Sequence, residues 1–257
     1  MIIKEREYFC NGAKTNYYQL GKGQPLIFLH GAALGPLVYR QALEKLAVYF
    51  EVIAPDIPPF GKFNLPPEDW EFDDYGTYFA SLIESLNLEK VILVGHSLGG
   101  GIAASTAISS KRVKKLILIN PAAIPIKKSF LQLSAYFFKT SFNYLRKSKK
   151  RKVGFSRFRH VVYYSINNIH HVNRIFKYMA RVVKTGNQET LEKIEMPTLI
   201  LWGKPDLILP DSQAIEIHTR IKNSNLKLLA GGHEWCLFQP EKLVELINKF
   251  TKIEAIK

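Results

Sequence analysis

The sequence predicts an α/β fold: a mostly parallel, eight-stranded sheet flanked by helices and interrupted by an inserted helical cap. Three observations predict it. Short apolar runs alternate with helical patterns, as parallel strands joined by crossover helices do. That alternation stops at Pro121 and resumes after Glu192. The chain has 257 residues, 47% hydrophobic and 23% charged, which are globular values that exclude a disordered or collagen-like chain. At this length roughly 70–75% of the unfolded surface can be buried, so the core needs no disulfide or metal staple.

The first 20 residues read as a β-hairpin, with Asn11-Gly12 as its turn. Leu26-Ile27-Phe28-Leu29-His30 reads as a buried strand, followed by a helix over about residues 35–49. Val52-Ile53-Ala54-Pro55-Asp56 is the next strand and Tyr75 to Leu86 the next helix. Val91-Ile92-Leu93-Val94 leads into a glycine-rich helix start, and Leu116 to Asn120 forms a further strand. Beyond the interruption come the strand Thr198 to Trp202 and a helix from Asp211 to Ile221, with Asp211 as its N-cap. Leu226 to Leu229 is the last strand, and Pro240, in the first turn, opens the closing helix to Phe250. The α/β core is thus expected over 1–120 and 193–257, and the cap over 121–192.

Charge sets the cap apart. No Asp or Glu occurs between Lys90 and Gln188, and 15 of the 36 Lys and Arg fall between Pro121 and Gln188. The rest of the chain keeps 21 bases against 22 acids, a nearly neutral body with one strongly basic insert. The segment 121–192 also holds 12 of the chain's 31 aromatic residues, too many for a solvated linker. Two cysteines, Cys10 and Cys236, cannot build a disulfide framework or a cysteine-rich zinc site and suit a reducing compartment. The charged N-terminus lacks a signal-peptide core, and residues 91–110 are too polar to span a membrane, so a cytoplasmic protein is expected.

The chemistry concentrates at Gly95-His96-Ser97-Leu98-Gly99, a G-x-S-x-G between strand and helix. Such a turn is so tight that side chains at Gly95 and Gly99 would strike neighbouring backbone, and it lifts the serine hydroxyl above the strand ends. A serine needs a base, and the base an orienting acid. His233 lies just after the last strand and Asp206 just after the one before it, on the edge where ligands sit in open parallel sheets. The acid-free stretch 91–187 leaves Asp206 the best-placed carboxylate, since the strand ending at Asn120 offers an amide. Asp211 is the alternative. The backbone N–H of Ala32, or of Ala33, with that of Leu98 would form an oxyanion hole, each donor contributing about 3 kcal/mol. His30 and Gly31 would support that loop, His30 as a brace.

Together these pieces resemble serine hydrolases of the α/β-hydrolase fold superfamily, esterase- and lipase-like with a helical cap. The resemblance rests on His30-Gly31, Asp56 to Gly61, Gly95 to Gly100, Trp202 to Asp206, and Gly232-His233 followed by Gln239-Pro240-Glu241, in the family's order. Two features depart from the family's pattern: Pro59, where relatives usually have glycine, and the acid-free cap. The resemblance implies hydrolysis of carboxylic esters, thioesters or lactones through an acyl-enzyme. Relatives that cleave epoxides or haloalkanes carry aspartate where this chain has Ser97. Carbon–carbon bond hydrolysis and a ligand-sensing receptor with little turnover are the alternatives it leaves open.

A small acyl ester is the expected substrate, with no cofactor and no metal. His160, His170 and His171 lack the carboxylates or cysteines of a metal site and read as surface or pocket-lining residues. The basic cap reads either as a solvated helical surface or as an attractor of an acidic substrate or an anionic membrane surface, with residues 130–138 at the interface. Nucleic acid is not expected, because no recognition motif accompanies the charge. Oligomeric state leaves no mark in the sequence.

Overall fold

The computed structural model describes residues 2–10, 13–32, 34–60, 70–125 and 184–252, and residues 132, 135, 155 and 181 singly. The Asn11-Gly12 turn, Ala33, Gly61 and nearly all of the basic insert, with its three histidines and residues 130–138 apart from those single positions, lie outside the described residues.

Eight strands form one sheet: β1 (Lys4–Cys10), β2 (Ala13–Leu20), β3 (Gln24–Leu29), β4 (Phe50–Pro55), β5 (Val91–His96), β6 (Val113–Ile119), β7 (Thr198–Lys204) and β8 (Ser224–Ala230). Their order is β1-β2-β4-β3-β5-β6-β7-β8. β1 and β2 pair antiparallel, as do β2 and β4, and every other neighbour is parallel. The central strands β3, β5, β6 and β7 are near-continuous apolar runs because helices cover both faces, whereas β1 and β8 at the sheet's edges are polar and largely exposed or half-buried. Alternate residues supply the two cores: Ile27, Leu29, Val91 and Leu93 face one, Leu26, Phe28, Ile92 and Val94 the other.

A 3-10 turn (Pro36–Tyr39) leads into α1 (Arg40–Leu46), so the helix read over 35–49 is shorter and opens in a tighter form. α2 (Phe72–Ser85) starts three residues before Tyr75. The Glu71 side chain accepts from the backbone of Asp74, and the Asp74 carboxylate accepts from the Glu71 N–H at 2.7 Å, a capping box made of two acids. α3 (Leu98–Ser109) packs on α2, and Gly101, Ile102, Ala103 and Ala104 are buried along it. α4 (Gln188–Glu192) ends the segment read as the insert, and α5 (Ser212–Arg220), α6 (Trp235–Phe238) and α7 (Pro240–Thr251) follow it, the last with Pro240 in its first turn.

The two stems of the insert meet beside α3: the Asn187 N–H donates to the Ala123 carbonyl at 2.9 Å, and the Asn187 amide donates to the Gly101 carbonyl at 2.9 Å. Both cysteines are free thiols. Among the described residues no helix is long and apolar enough to cross a membrane.

Candidate active site

β5 delivers Ser97 directly. The chain leaves the strand at His96, reverses at Ser97 and enters α3 at Leu98. Ser97 has φ 54° and ψ −119°, a strained conformation for a residue with a side chain. Two glycines make the turn possible. A Cβ on Gly95 would strike the Gly99 carbonyl, and one on Gly99 would strike the carbonyls of Leu29 and His30. The turn is held by its own backbone, the Ser97 N–H donating to Ile119 at 2.9 Å and the Ser97 carbonyl accepting from Gly100 at 2.9 Å and Ala122 at 2.8 Å.

β7 and β8 bring the other two side chains to the same edge. Ser97 Oγ lies 2.9 Å from His233 Nε2, and His233 Nδ1 lies 2.7 Å from Asp206 Oδ2. The hydroxyl, imidazole and carboxylate, up to 136 positions apart in sequence, form one continuous hydrogen-bonded chain. His233 and Asp206 are 4% and 0% exposed, whereas Ser97 is half-buried. Asp206 Oδ1 accepts from the N–H groups of Ile208 at 2.8 Å and Leu209 at 2.9 Å. Burial works against the charged carboxylate. The charge and hydrogen bond of His233 and these two N–H donors outweigh it and hold Asp206 below the ordinary carboxylate range.

Asp211, the alternative acid, stands elsewhere. It occupies the N-cap position of α5, as expected, but its side chain makes no capping bond to the helix. Its Oδ1 accepts instead from Trp202 Nε1 at 3.0 Å and from the N–H of Asp206 at 3.3 Å. The carboxylate is drawn inward by these donors and stiffens the loop that carries Asp206.

Gly31 lies against Ser97, since a Cβ placed on it would sit 3.4 Å from the serine Cβ. Ala32 follows it in a turn closed by the Leu34 N–H donating to the Gly31 carbonyl at 3.2 Å. Leu98 is the first residue of α3, so its N–H has no acceptor within the helix. His30 braces the loop: its Nε2 accepts from the Ile57 N–H at 2.9 Å, leaving Nδ1–H to donate to the Gly31 carbonyl at 2.8 Å.

Two groups of residues around this site escape sequence reasoning. His96 Nε2–H donates to the His233 carbonyl at 2.9 Å, and its Nδ1 accepts from the Tyr39 hydroxyl at 2.6 Å. The Tyr39 oxygen in turn accepts from the Gly31 N–H at 3.1 Å. Asn120, fully buried just past β6, donates to Asp206 Oδ2 at 2.8 Å. His96 sits inside the serine motif and Asn120 at a strand end, which are positional signals only; Tyr39 carries none. Among the described residues no cluster of His, Cys, Asp and Glu could hold a metal ion.

The family profile of the alpha/beta hydrolase fold matches residues 24–240, and the chain belongs to that family. It is a hydrolase by class. It is 26% identical to the uncharacterized hydrolase YugF of Bacillus subtilis, over 96% of this chain and 97% of that one. It is 23% identical to a 2-hydroxy-6-oxo-2,4-heptadienoate hydrolase of Pseudomonas putida, over 97% and 96%. A meta-cleavage product hydrolase from Pseudomonas fluorescens has the same fold, with a TM-score of 0.78 at 21% identity over 96% of this chain and 97% of that one.

Proposed function

We propose that the chain hydrolyses carboxylic esters, thioesters and lactones included, through an acyl-enzyme on Ser97. The observation that carries this reading is the chain of hydrogen bonds from Ser97 Oγ through His233 to Asp206, at 2.9 and 2.7 Å. His233 presents Nε2 as acceptor toward the hydroxyl because its Nδ1–H is committed to the carboxylate. That is the tautomer a general base needs.

In the reaction Ser97 Oγ bonds to the acyl carbon while its proton passes to His233 Nε2. The N–H groups of Ala32 and Leu98 receive the negative oxygen, with the N-terminus of α3 aimed at the same place. The bond to the leaving oxygen, or to sulfur in a thioester, then breaks, and that atom takes the proton from His233. Water attacks the acyl-enzyme, gives its proton to His233, and the proton returns to Ser97 as the carboxylic acid departs. Asp206 stays ionised throughout and steadies the imidazolium.

A second reading has a specific observation in its favour. Likeness to a 2-hydroxy-6-oxo-2,4-heptadienoate hydrolase favours hydrolysis of a carbon–carbon bond beside a carbonyl by the same residues. The two readings separate in one experiment: steady-state turnover of p-nitrophenyl esters of increasing acyl length, set beside a 2-hydroxy-6-oxo-2,4-dienoate. Ester turnover with the dienoate untouched supports the first reading, and the reverse supports the second. A single slow acylation without turnover would instead indicate a ligand sensor. The basic insert would serve either activity by drawing in an acidic substrate or an anionic membrane surface. Vesicle binding that weakens with salt tests that role.

A further inference from the structure

Asp206 has four acceptor directions and all are used. Oδ1 takes the Ile208 and Leu209 N–H groups, and Oδ2 takes His233 Nδ1–H and one proton of the Asn120 amide. The Asn120 side chain is saturated as well. Its Nδ2 donates to Asp206 Oδ2 at 2.8 Å and to the Gly203 carbonyl at 3.2 Å; its Oδ1 accepts from the Gly203 N–H at 2.9 Å and from Trp235 Nε1 at 3.2 Å. One fully buried amide therefore joins the end of β6 to the end of β7, to the acid and to the helix that follows His233. Its backbone has φ 39°, a conformation asparagine tolerates better than most residues with side chains.

We propose that Asn120 is a positioning residue for the acid. It holds the Asp206 carboxylate in the rotamer from which Oδ2 receives His233 Nδ1–H, and it must be an amide because it donates to that same oxygen. A carboxylate at this place would keep both accepted bonds, from Gly203 and Trp235, and lose both donations, the shorter to Asp206 and the longer to the Gly203 carbonyl. The inference rests on the triad reading above. Among the described residues, the ionisable groups around the pair are His233, His96 with its ring centroid 5.1 Å from that of His233, Asp211 beneath the Asp206 N–H, Lys204 with its Nζ 4.0 Å from Asp211, and Glu234 and Cys236 after the histidine.

Asn120→Asp is the discriminating variant. While the new carboxyl keeps its proton, its O–H replaces the amide donor. Once that proton leaves, two carboxylates face each other at hydrogen-bond distance. The ratio of variant to wild-type kcat on p-nitrophenyl butyrate is expected to be highest at acid pH and to fall about tenfold or more as pH rises. A ratio that does not change with pH marks a space-filling role and overturns the proposal. A second measurement needs neither a folded variant nor turnover: the side-chain amide signals of Asn120 in the wild-type protein, assigned by 1H–15N spectroscopy. They are expected to move with the same midpoint as the His233 ring, and flat signals across that titration overturn the proposal. Wild-type protein that neither turns over esters nor takes a fluorophosphonate counts against the hydrolytic reading, while the amide signals still decide the role of Asn120.

Discussion

His96, on the strand that carries the serine, donates its Nε2–H to the backbone carbonyl of His233, 2.9 Å away and 137 positions later in the chain. Through Tyr39 the same ring reaches the Gly31 N–H, so one buried imidazole ties the serine turn to the loop beside it and to the histidine loop. His96→Phe keeps the ring and removes both bonds. The expected result is a kcat about ten- to a hundredfold lower with KM little moved, measured by steady-state hydrolysis of p-nitrophenyl butyrate. Unchanged kcat would show that the histidine loop is fixed by other contacts.

Gly99 touches the backbone of β3's end, and carbonyl groups cannot swing aside as side chains do. Gly99→Ala is expected to destabilise the protein by about 1–3 kcal/mol, read from urea unfolding midpoints. A midpoint equal to that of wild type contradicts the packing described for the turn.

The Asp206 carboxyl is held below its ordinary value in the folded protein. A depressed carboxyl binds its proton more weakly folded than unfolded. Its stabilisation is therefore complete above the unfolded value near 3.8 and is lost as pH falls toward the folded one. Asp206→Asn should remove that contribution, so its stability deficit against wild type is largest above about pH 4 and shrinks in stronger acid. Urea melts between pH 2 and 6, on the order of one per half unit, check this, and a deficit that grows toward acid would reverse the sign.

Cys236 is fully buried, and burial, with Glu234 beside it, pushes its thiol up and away from the reactive thiolate. A water-soluble disulfide reagent is expected to leave Cys236 unmodified in the folded protein and to label it on unfolding. Peptide mapping that finds Cys236 labelled under native conditions contradicts this burial.

Much of the fold was legible because buried parallel strands write themselves as apolar runs, as Leu26 to Leu29 and Leu116 to Ile119 do. What escaped were the ends. β5 and β7 run on through Gly95-His96 and Gly203-Lys204, where the side chains no longer read as strand but the ladder continues, His96 opposite Ile119 and Lys204 opposite Ala230. α2 begins early because two acids cap it in place of the usual Ser or Thr. In the site, Ser97, Asp206 and His233 could be placed from motif and strand order. The partners of Asn120 and His96 could not, since those contacts join residues 86 and 137 positions apart and exist only once the sheet is assembled.

The proposed reaction requires Ser97 to be a nucleophile made reactive by His233. Intact-mass and peptide mapping after treatment with a fluorophosphonate test it most directly. The expected result is one adduct, on Ser97, absent from Ser97→Ala and formed far more slowly in His233→Ala, with ester turnover by Ser97→Ala reduced on the order of 10⁶-fold. An adduct on another residue, or ester cleavage by Ser97→Ala at close to the wild-type rate, would contradict it.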